Sequence, residues 1–194
     1  MLVKYTDTWS NYSLEKQVAV ELIDEGCVVI SQHSDTKGPA VACENSKRAL
    51  PAYHVGYSQS MTDIAPTRSL VSCSVDYSYY FEQSINALLH GKKIEDCIDG
   101  KVYGQDAMAG IEKGWVRILD INYAILPENI DSTVKSISSK IEKNDIAIFS
   151  GNFTGTAPFD SSNKIDLRTP FVENEKSSSP AFCYVLDDVI KILP

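Results

Sequence analysis

The sequence predicts an α/β fold, a three-layer sandwich around a mostly parallel sheet. Short β-prone segments alternate with amphipathic helical stretches over most of the 194 residues, which is the pattern of a layered α/β domain. Residues 27–30 form a continuous apolar run, typical of a strand that is buried on both faces. No internal repeat, heptad or low-complexity tract competes with this interpretation.

The elements follow from local spacing. Leu14, Val18 and Leu22 recur at helical intervals, and Gly26 ends that helix. Pro39 stands where a second helix can begin, before Pro51. We predict central strands at residues 2–5, 27–30, 53–57 and 70–75, with helices near 13–25, 38–49, 78–90 and 128–143.

The second half of the chain is predicted with the same rules. Phe81, Ile85 and Leu88 form one helical stripe, and Ile130, Val134, Ile137 and Ile141 form another. Further strands are predicted at residues 115–121 and 146–149. Residues 150–180 are rich in Gly, Ser, Asn, Asp and Pro, so we predict no regular element there.

Charge excludes several classes of partner. The chain has 18 basic and 26 acidic residues, a formal net charge of −8, and no basic cluster. Because phosphate neutralisation supplies the affinity of non-specific nucleic-acid binding, we expect no nucleic-acid partner. Anionic lipid is disfavoured for the same reason. No apolar run approaches the ~20 residues that span a bilayer.

The five cysteines indicate neither metal nor disulfide. They are scattered, no C-x-x-C pair occurs, and none stands at a zinc-like spacing from a histidine. We interpret them as small buried hydrophobes, and we predict no metal and no cofactor. The first residues lack the basic and apolar regions of an export signal. The chain is therefore expected to be cytoplasmic, or part of something longer.

Candidate binding residues follow the predicted strands. In a doubly wound sheet, ligands bind beyond the carboxyl ends of the strands. There the sequence mixes aromatic rings with carboxylate, amide and hydroxyl groups, which suits a small, flat, polar ligand. The predicted ligand-binding residues are Asp7, Trp9, His33, Asp35, Tyr57, Ser58, Gln59 and Asp76.

Structural and catalytic alternatives stand beside this interpretation. Trp9 could cap the edge of the core, and Asp76 could cap a loop. His33 beside Asp35 could form a catalytic dyad, but no nucleophile accompanies it. The motifs G-x-G-x-x-G, G-x-x-x-x-G-K-[ST] and G-x-S-x-G are all absent. We therefore favour binding, with no catalytic residues and no enzymatic activity.

Several segments resemble the basic membrane protein family, substrate-binding proteins of ABC transporters related to purine nucleoside receptor lipoproteins. VKYTDTWS at residues 3–10 and VISQHSDT at 29–36 carry the likeness. HVGYSQSM at 54–61, followed by Ala65-Pro66, resembles the family's GYN-x-x-M…AP segment. LVS at 70–72 with the later Tyr-Tyr pair, and EKGWV at 112–116, are similar to its L-T-S…Y-Y and K-E-G-x-V stretches.

The chain also departs from the family. Its members are about twice as long, with an export signal and an N-terminal lobe before the first matching strand. We therefore expect this chain to resemble the C-terminal half, with the N-terminal lobe missing. Ser58 stands where the family usually has Asn or Asp, and residues 75–77 replace its tryptophans. These changes leave the exact ligand open.

The resemblance implies a type I periplasmic-binding-protein architecture. Two α/β lobes would close on a purine nucleoside or base without catalysis, and an ABC permease would be the partner. It implies an extracytoplasmic lipoprotein, although this chain carries no signal. The implied domains are a ligand-binding lobe at residues 1–150, with a hinge-crossing segment near 67–95, and an irregular extension at 151–194.

Two other functions remain open at this point. A cytoplasmic sensor or regulatory domain on the same fold would account for the absent signal and the five cysteines. A small hydrolase or transferase using His33 and Asp35 is disfavoured by the missing nucleophile. If a lobe is missing, the helix at 79–90 and the tail after residue 150 should expose apolar surface, swap their packing or form a homodimer contact.

Overall fold

The computed structural model describes all residues from 1 to 194 and divides the chain into two compact units. The first, called here the sheet unit, comprises Leu2–Val75, Arg117–Asp131 and Lys191–Pro194. The second unit comprises Met1, Asp76–Val116 and Ser132–Ile190. The chain passes from the sheet unit to the second unit after Val75, within the segment predicted to cross a hinge. The predicted domain boundaries stay a prediction.

The four predicted helices are all present. Helices α1 to α4 span Tyr12–Asp24, Gly38–Asn45, Ser78–Leu89 and Ile130–Glu142. Strands β1 to β7 span Leu2–Val3, Val29–Ser31, Tyr53–Tyr57, Ser69–Val75, Lys101–Tyr103, Asp106–Met108 and Val116–Ile121. Strands β8 to β11 span Thr154–Ala157, Asp160–Asp166, Val185–Leu186 and Lys191–Ile192. Short 3-10 turns lie at Ile94–Asp96 and Ile111–Lys113.

The main sheet has the strand order β2-β3-β4-β7. Strands β2, β3 and β4 run parallel, which confirms the predicted α/β class with a mostly parallel sheet. The N–H of Asn122, just after β7, donates to the carbonyl of Leu70 near the start of β4. Asp76, just after β4, donates in turn to the carbonyl of Trp115, just before β7. β7 therefore runs antiparallel to β4.

Strand β2 differs from its prediction. It begins at Val29 rather than Cys27, and it lies at the edge of the sheet. Ile30 is buried, whereas Val28 and Val29 are exposed. The apolar run is therefore not buried on both faces: Ile30 belongs to the core, and Cys27 is partly buried against it.

Helix α1 is fixed at both ends by local hydrogen bonds. The side chain of Asn11 accepts from the N–H of Leu14, while the N–H of Asn11 donates to Glu15 at 2.8 Å. This reciprocal pair satisfies donors that the first helical turn leaves unpaired. At the other end Gly26 adopts φ +99°, a left-handed conformation that glycine adopts without steric penalty.

Helix α2 packs closely on α1 because its first residue has no side chain. A Cβ on Gly38 would lie 2.7 Å from the carbonyl oxygen of Tyr12. α2 ends at Asn45, four residues before the predicted end, because Ser46 turns to an extended conformation with ψ 129°. One core cluster lies between these helices and the sheet: Ala19, Ile23, Ile30, Ala42, Cys43 and Ala52.

The prediction that residues 2–5 form a central strand is wrong. Only Leu2–Val3 is a strand, and it pairs in parallel with β11 in a separate two-stranded sheet. The pairing partner lies at the far end of the chain, where Lys191 and Ile192 oppose Leu2 and Val3. Beyond β1 the chain turns, with Asp7 in a left-handed conformation at φ 51°.

The predictions for residues 146–149 and 150–180 are also wrong. No strand forms at 146–149; the ring of Phe149 instead stacks on Phe182 at 4.2 Å and meets Phe171 edge-on. Residues 150–180 contain the antiparallel hairpin β8–β9, which β10 extends. Nearly all of β9 is polar and exposed, so the hairpin has no apolar alternation by which the sequence could predict it.

Helix α3 in the second unit has an exposed apolar face. Phe81, Ile85, Leu88 and Leu89 are between 55% and 76% exposed, while Ala87 is buried. This confirms the expectation of exposed apolar surface on this helix. None of the four helices combines the length and apolar character that crossing a bilayer requires.

Candidate functional site

Three strand-end loops of the sheet unit meet through hydrogen bonds. The N–H of Asp35, after β2, donates to the carbonyl of Trp9, after β1, at 2.9 Å. The side-chain amide of Gln59, after β3, donates to the carbonyl of Asp35 at 3.0 Å. The first and third loops are therefore both fastened to the second. We call this junction, together with the rings described next, the strand-end site.

Three of the rings predicted to contact a ligand lie on these loops. His33 and Tyr57 face each other with ring centroids 5.0 Å apart and planes inclined by 38°. Trp9 is 73% exposed, so it does not serve as the core cap that was its structural alternative. An exposed indole face and the His33–Tyr57 ring pair can each stack on a flat ligand, while the exposed carboxylates of Asp7 and Asp35 can accept hydrogen bonds.

Backbone geometry shapes the third loop. Ser58 adopts φ 68°, and its N–H donates to the carbonyl of Cys73 at 2.7 Å. This left-handed region suits Asn and Asp better than Ser, because their short side chains bond to the local backbone. Two residues earlier, a Cβ on Gly56 would lie 2.4 Å from the Ser72 hydroxyl. Only glycine fits there without displacing its neighbours.

Glu15 holds the second loop from beneath. It is 1% exposed, and its carboxylate accepts from the Thr36 hydroxyl at 2.6 Å and from the Thr36 N–H at 3.1 Å. Burial by itself would raise the pKa of Glu15, but the bonds from Thr36 and Asn11 outweigh it and keep the pKa below its ordinary value. A buried, ionised carboxylate therefore joins α1 to the loop.

Gln32 and His54 hold the same loop from the side of the sheet. The amide nitrogen of Gln32 donates to the carbonyls of Ser34 at 2.7 Å and Thr36 at 2.8 Å. Its amide oxygen lies 2.8 Å from Nε2 of His54, which is fully buried in β3. Burial lowers the pKa of His54 to about 4, so the ring is neutral near pH 7.

Asp120 anchors the third loop from β7. Its carboxylate accepts from the Ser60 hydroxyl at 2.6 Å and from the Thr62 hydroxyl. These bonds, that of Ser60 foremost, hold the pKa of Asp120 below its usual value. The loops of the strand-end site are thus tied to the helix and the sheet by carboxylates and amides behind them.

Asp76 belongs to the second unit. Its carboxylate accepts from the N–H of Ser78 at 3.0 Å and from the Ser78 hydroxyl at 2.6 Å, at the start of α3. These i to i+2 bonds form an Asx turn ahead of α3, whose N-cap is Tyr77, and they fit the loop-capping alternative that the sequence left open. Its role toward a ligand stays a prediction, as do those of the other seven residues.

Two surface cavities lie away from the predicted residues. One of about 330 Å³ is lined by the ends of α1 and α2, among them Val20, Ile23 and Arg48. The other, of about 540 Å³, lies in the second unit between Asp99 and Lys113. No cluster of three His, Cys, Asp or Glu side chains is arranged to hold a metal ion.

The cysteines are all free, but only part of their prediction is confirmed. Cys43 is fully buried, and burial raises the pKa of its thiol to about 12. Cys73 and Cys183 are exposed, contrary to the prediction. Cys73 lies on β4 between Ser72 and Ser74, which are both buried, so the alternation of the strand turns Cys73 to the opposite face.

Sequence reasoning did not find the residues behind the loops. Glu15, Gln32, His54 and Asp120 all bond to loop groups, yet none was predicted. Asn11 and Glu15, four residues apart at a helix start, were a signal that could have been used. His54 gave none, because a lone histidine in a strand has no pattern to mark its burial.

Fold and site together define an α/β unit whose strand ends present a preformed polar and aromatic surface. The family model of PnrA-like ABC transporter substrate-binding proteins matches residues 1–150. The chain belongs to this family. The match covers the N-terminal part of the family's domain, so the expectation that the chain resembles the C-terminal half is wrong.

Two relatives are similar over most of this chain but are longer. A purine-binding protein of Brucella abortus (strain 2308) is 22% identical over 149 residues, which is 77% of this chain and 38% of that protein. An ABC transporter solute-binding protein from Conexibacter woesei DSM 14684 superimposes with a TM-score of 0.52 at 14% identity, covering 73% of this chain and 44% of that one. The chain thus spans less than half the length of either relative, and the structural likeness shows the fold alone.

Proposed function

We propose that the chain acts as a substrate-binding protein of an ABC transporter and binds a purine nucleoside or base at the strand-end site without catalysis. The observation that carries the proposal is that hydrogen bonds join three strand-end loops, from Asp35 to Trp9 and from Gln59 to Asp35. Membership of the family supports transport as the role. A permease would be the partner, and an extracytoplasmic, lipid-anchored location would follow.

Each group has a part in this proposal. Trp9 supplies an exposed ring face for the base, and the pair His33–Tyr57 supplies a second aromatic surface. Asp35 accepts hydrogen bonds from ring N–H or ribose hydroxyl groups, and Ser58 adds a hydroxyl. The relative from Brucella is called a purine-binding protein, which favours a purine among flat polar ligands.

The domains predicted from the sequence belong to the same proposal. Residues 1–150 would supply the ligand-binding lobe, and residues 151–194 an extension. The seven predicted residues of the sheet unit would contribute to one binding surface, and the role of Asp76, in the second unit, stays a separate prediction. No group at the site combines a nucleophile with a base in hydrogen-bond reach, so binding and release, rather than turnover, is the chemistry that the residues support.

Calorimetry with adenosine, guanosine, adenine and ribose tests the proposal. Binding of a purine but not of ribose alone is expected. Trp9→Ala should weaken that binding through loss of stacking, by roughly 0.5–1.5 kcal/mol beyond the buried area. Phe159→Ala is the matched control, because Phe159 is fully exposed at the tip of the β8–β9 hairpin.

A second pair of variants tests the carboxylate. Asp35→Ala should weaken purine binding by roughly 1–3 kcal/mol, because ligand donors are left unpaired. Asp63→Ala, at an exposed loop position, should leave binding unchanged. Absence of binding to every purine would refute the ligand assignment, and chemical conversion of any of them would refute the non-catalytic role.

A further inference from the structure

We propose that His54 and Gln32 are positioning residues that set the conformation of the loop carrying Asp35, a role that rests on the proposed function. Neither touches the surface where a ligand would lie. Gln32 is 8% exposed and His54 is fully buried, so both act through the backbone of residues 33–36.

The hydrogen bonds of the pair have a fixed direction. The amide nitrogen of Gln32 uses its two N–H groups on the carbonyls of Ser34 and Thr36. Its oxygen must therefore be the atom that faces His54, and an oxygen can only accept. Nε2 of His54 consequently carries the proton and donates, so the ring is the neutral Nε2–H tautomer.

Burial keeps the ring in that state. Nδ1 of His54 has no hydrogen-bond partner, so a second N–H would be buried without an acceptor. In the register of β2 and β3, His54 stands opposite Ile30. Gln32 follows Ile30 by two residues, directly after the end of β2. The sheet thus sets the distance between the two side chains.

The consequence falls on Asp35. The two carbonyls that Gln32 holds belong to the residues on either side of it, and its own N–H is held by the carbonyl of Trp9. The backbone on both sides of Asp35 is fixed before any ligand arrives. A loop that is already ordered loses less conformational entropy on binding, which raises affinity.

The experiment compares three substitutions in the full chain. His54→Leu removes the donor and keeps bulk, whereas His54→Gln keeps an amide donor near the position of Nε2. Gln32→Met removes the hydrogen bonds to the carbonyls of Ser34 and Thr36. It also tests the proposal if His54→Leu fails to fold. Ser72→Ala is the control, because its buried hydroxyl has no hydrogen-bond partner.

Two readouts are used. Without ligand, amide hydrogen exchange at Asp35 and Thr36 should rise about tenfold in His54→Leu and Gln32→Met and stay near wild type in His54→Gln and Ser72→Ala. With adenosine as the probe, Kd should rise about tenfold in the first two variants only.

The outcomes separate this proposal from the proposed function. If wild type binds no purine, the proposed function fails, and the exchange of the two loop amides still decides the positioning role. Exchange unchanged in Gln32→Met would overturn that role. A uniform rise over β3 and β4, no larger at the loop, would do the same, because it would mark general destabilisation.

Discussion

The two units differ in where their polar contacts lie. In the sheet unit, Glu15, Gln32 and His54 are buried and join helix, loop and sheet. In the second unit the ion pair Lys101–Glu175 is exposed at both ends, and most of the apolar face of α3 is exposed as well. A contact removed from water is expensive to break, whereas an exposed one exchanges with solvent at little cost.

The same difference governs the helices. Both α1 and α3 have apolar residues at helical spacing, but α1 buries Val18, Ala19 and Ile23 whereas α3 leaves Ile85 and Leu88 in solvent. An amphipathic pattern therefore predicts the helix and not its partner. Burial decides how much each side chain contributes to stability.

The largest expected effect comes from the core of α1. Ile23→Ala should lower the free energy of unfolding by about 2–5 kcal/mol, because a 4% exposed side chain leaves a cavity. Leu88→Ala on α3, where the side chain is 64% exposed, should change it by less than about 0.5 kcal/mol. Urea denaturation of the two variants measures both. Equal losses would break the comparison.

The next effect is a dependence of stability on pH. His54 has a pKa of about 4 in the folded protein and an ordinary value of 6.5, so the unfolded chain takes up a proton first as the pH falls. Stability present above pH 6.5 should therefore be lost between pH 6.5 and 4, by on the order of 3 kcal/mol.

Denaturation at a series of pH values, in wild type and in His54→Gln, measures this contribution. The variant should lose less stability between pH 6.5 and 4.5, because its amide does not titrate. The pKa values of Glu15 and Asp120 are lowered, so protonation of these carboxylates reduces stability in the lower part of this pH range. Both residues are present in both proteins, so their effect cancels in the comparison. Identical curves would show that burial of His54 is not the cause.

A smaller effect is expected from the carboxylate beneath the second loop. Glu15→Gln should cost roughly 1–3 kcal/mol, because an amide N–H would face the donors of Asn11 or Thr36. Glu82→Gln is the same change at an exposed position on α3 and should be close to neutral. Thermal unfolding of both proteins decides whether burial makes the difference.

Local pattern was sufficient for the elements whose order depends on neighbours in sequence. Helix α1 was predicted to within a residue, because its apolar spacing, Asn11 and Gly26 all lie within it or beside it. β1 was misplaced because its partner, β11, lies almost two hundred residues away. The hairpin β8–β9 was missed because its strands are polar.

The candidate site divides in the same way. Loops after β2 and β3 could be located from the rule that ligands bind at strand ends, and the structure fastens Asp35 to Trp9 and Gln59 there. The rule could not predict which buried side chains hold these loops in place. His54 and Asp120 reach the loops from strands, and only a three-dimensional arrangement shows which way a strand residue faces.

The smallest effect belongs to the exposed ion pair of the second unit. Lys101 and Glu175 lie 2.9 Å apart, but their side chains are 65% and 72% exposed, so water and salt screen the attraction. Lys101→Met should change the free energy of unfolding only slightly, and the change should shrink further in 1 M salt. The matched variant Glu175→Gln removes the other charge, and the double variant should cost no more than either single one if the pair is the only interaction lost. A loss of stability as large as that of Glu15→Gln, and unaffected by salt, would mean that this exposed ion pair stabilises the fold as much as a buried carboxylate does. The contrast between the two units would then not hold.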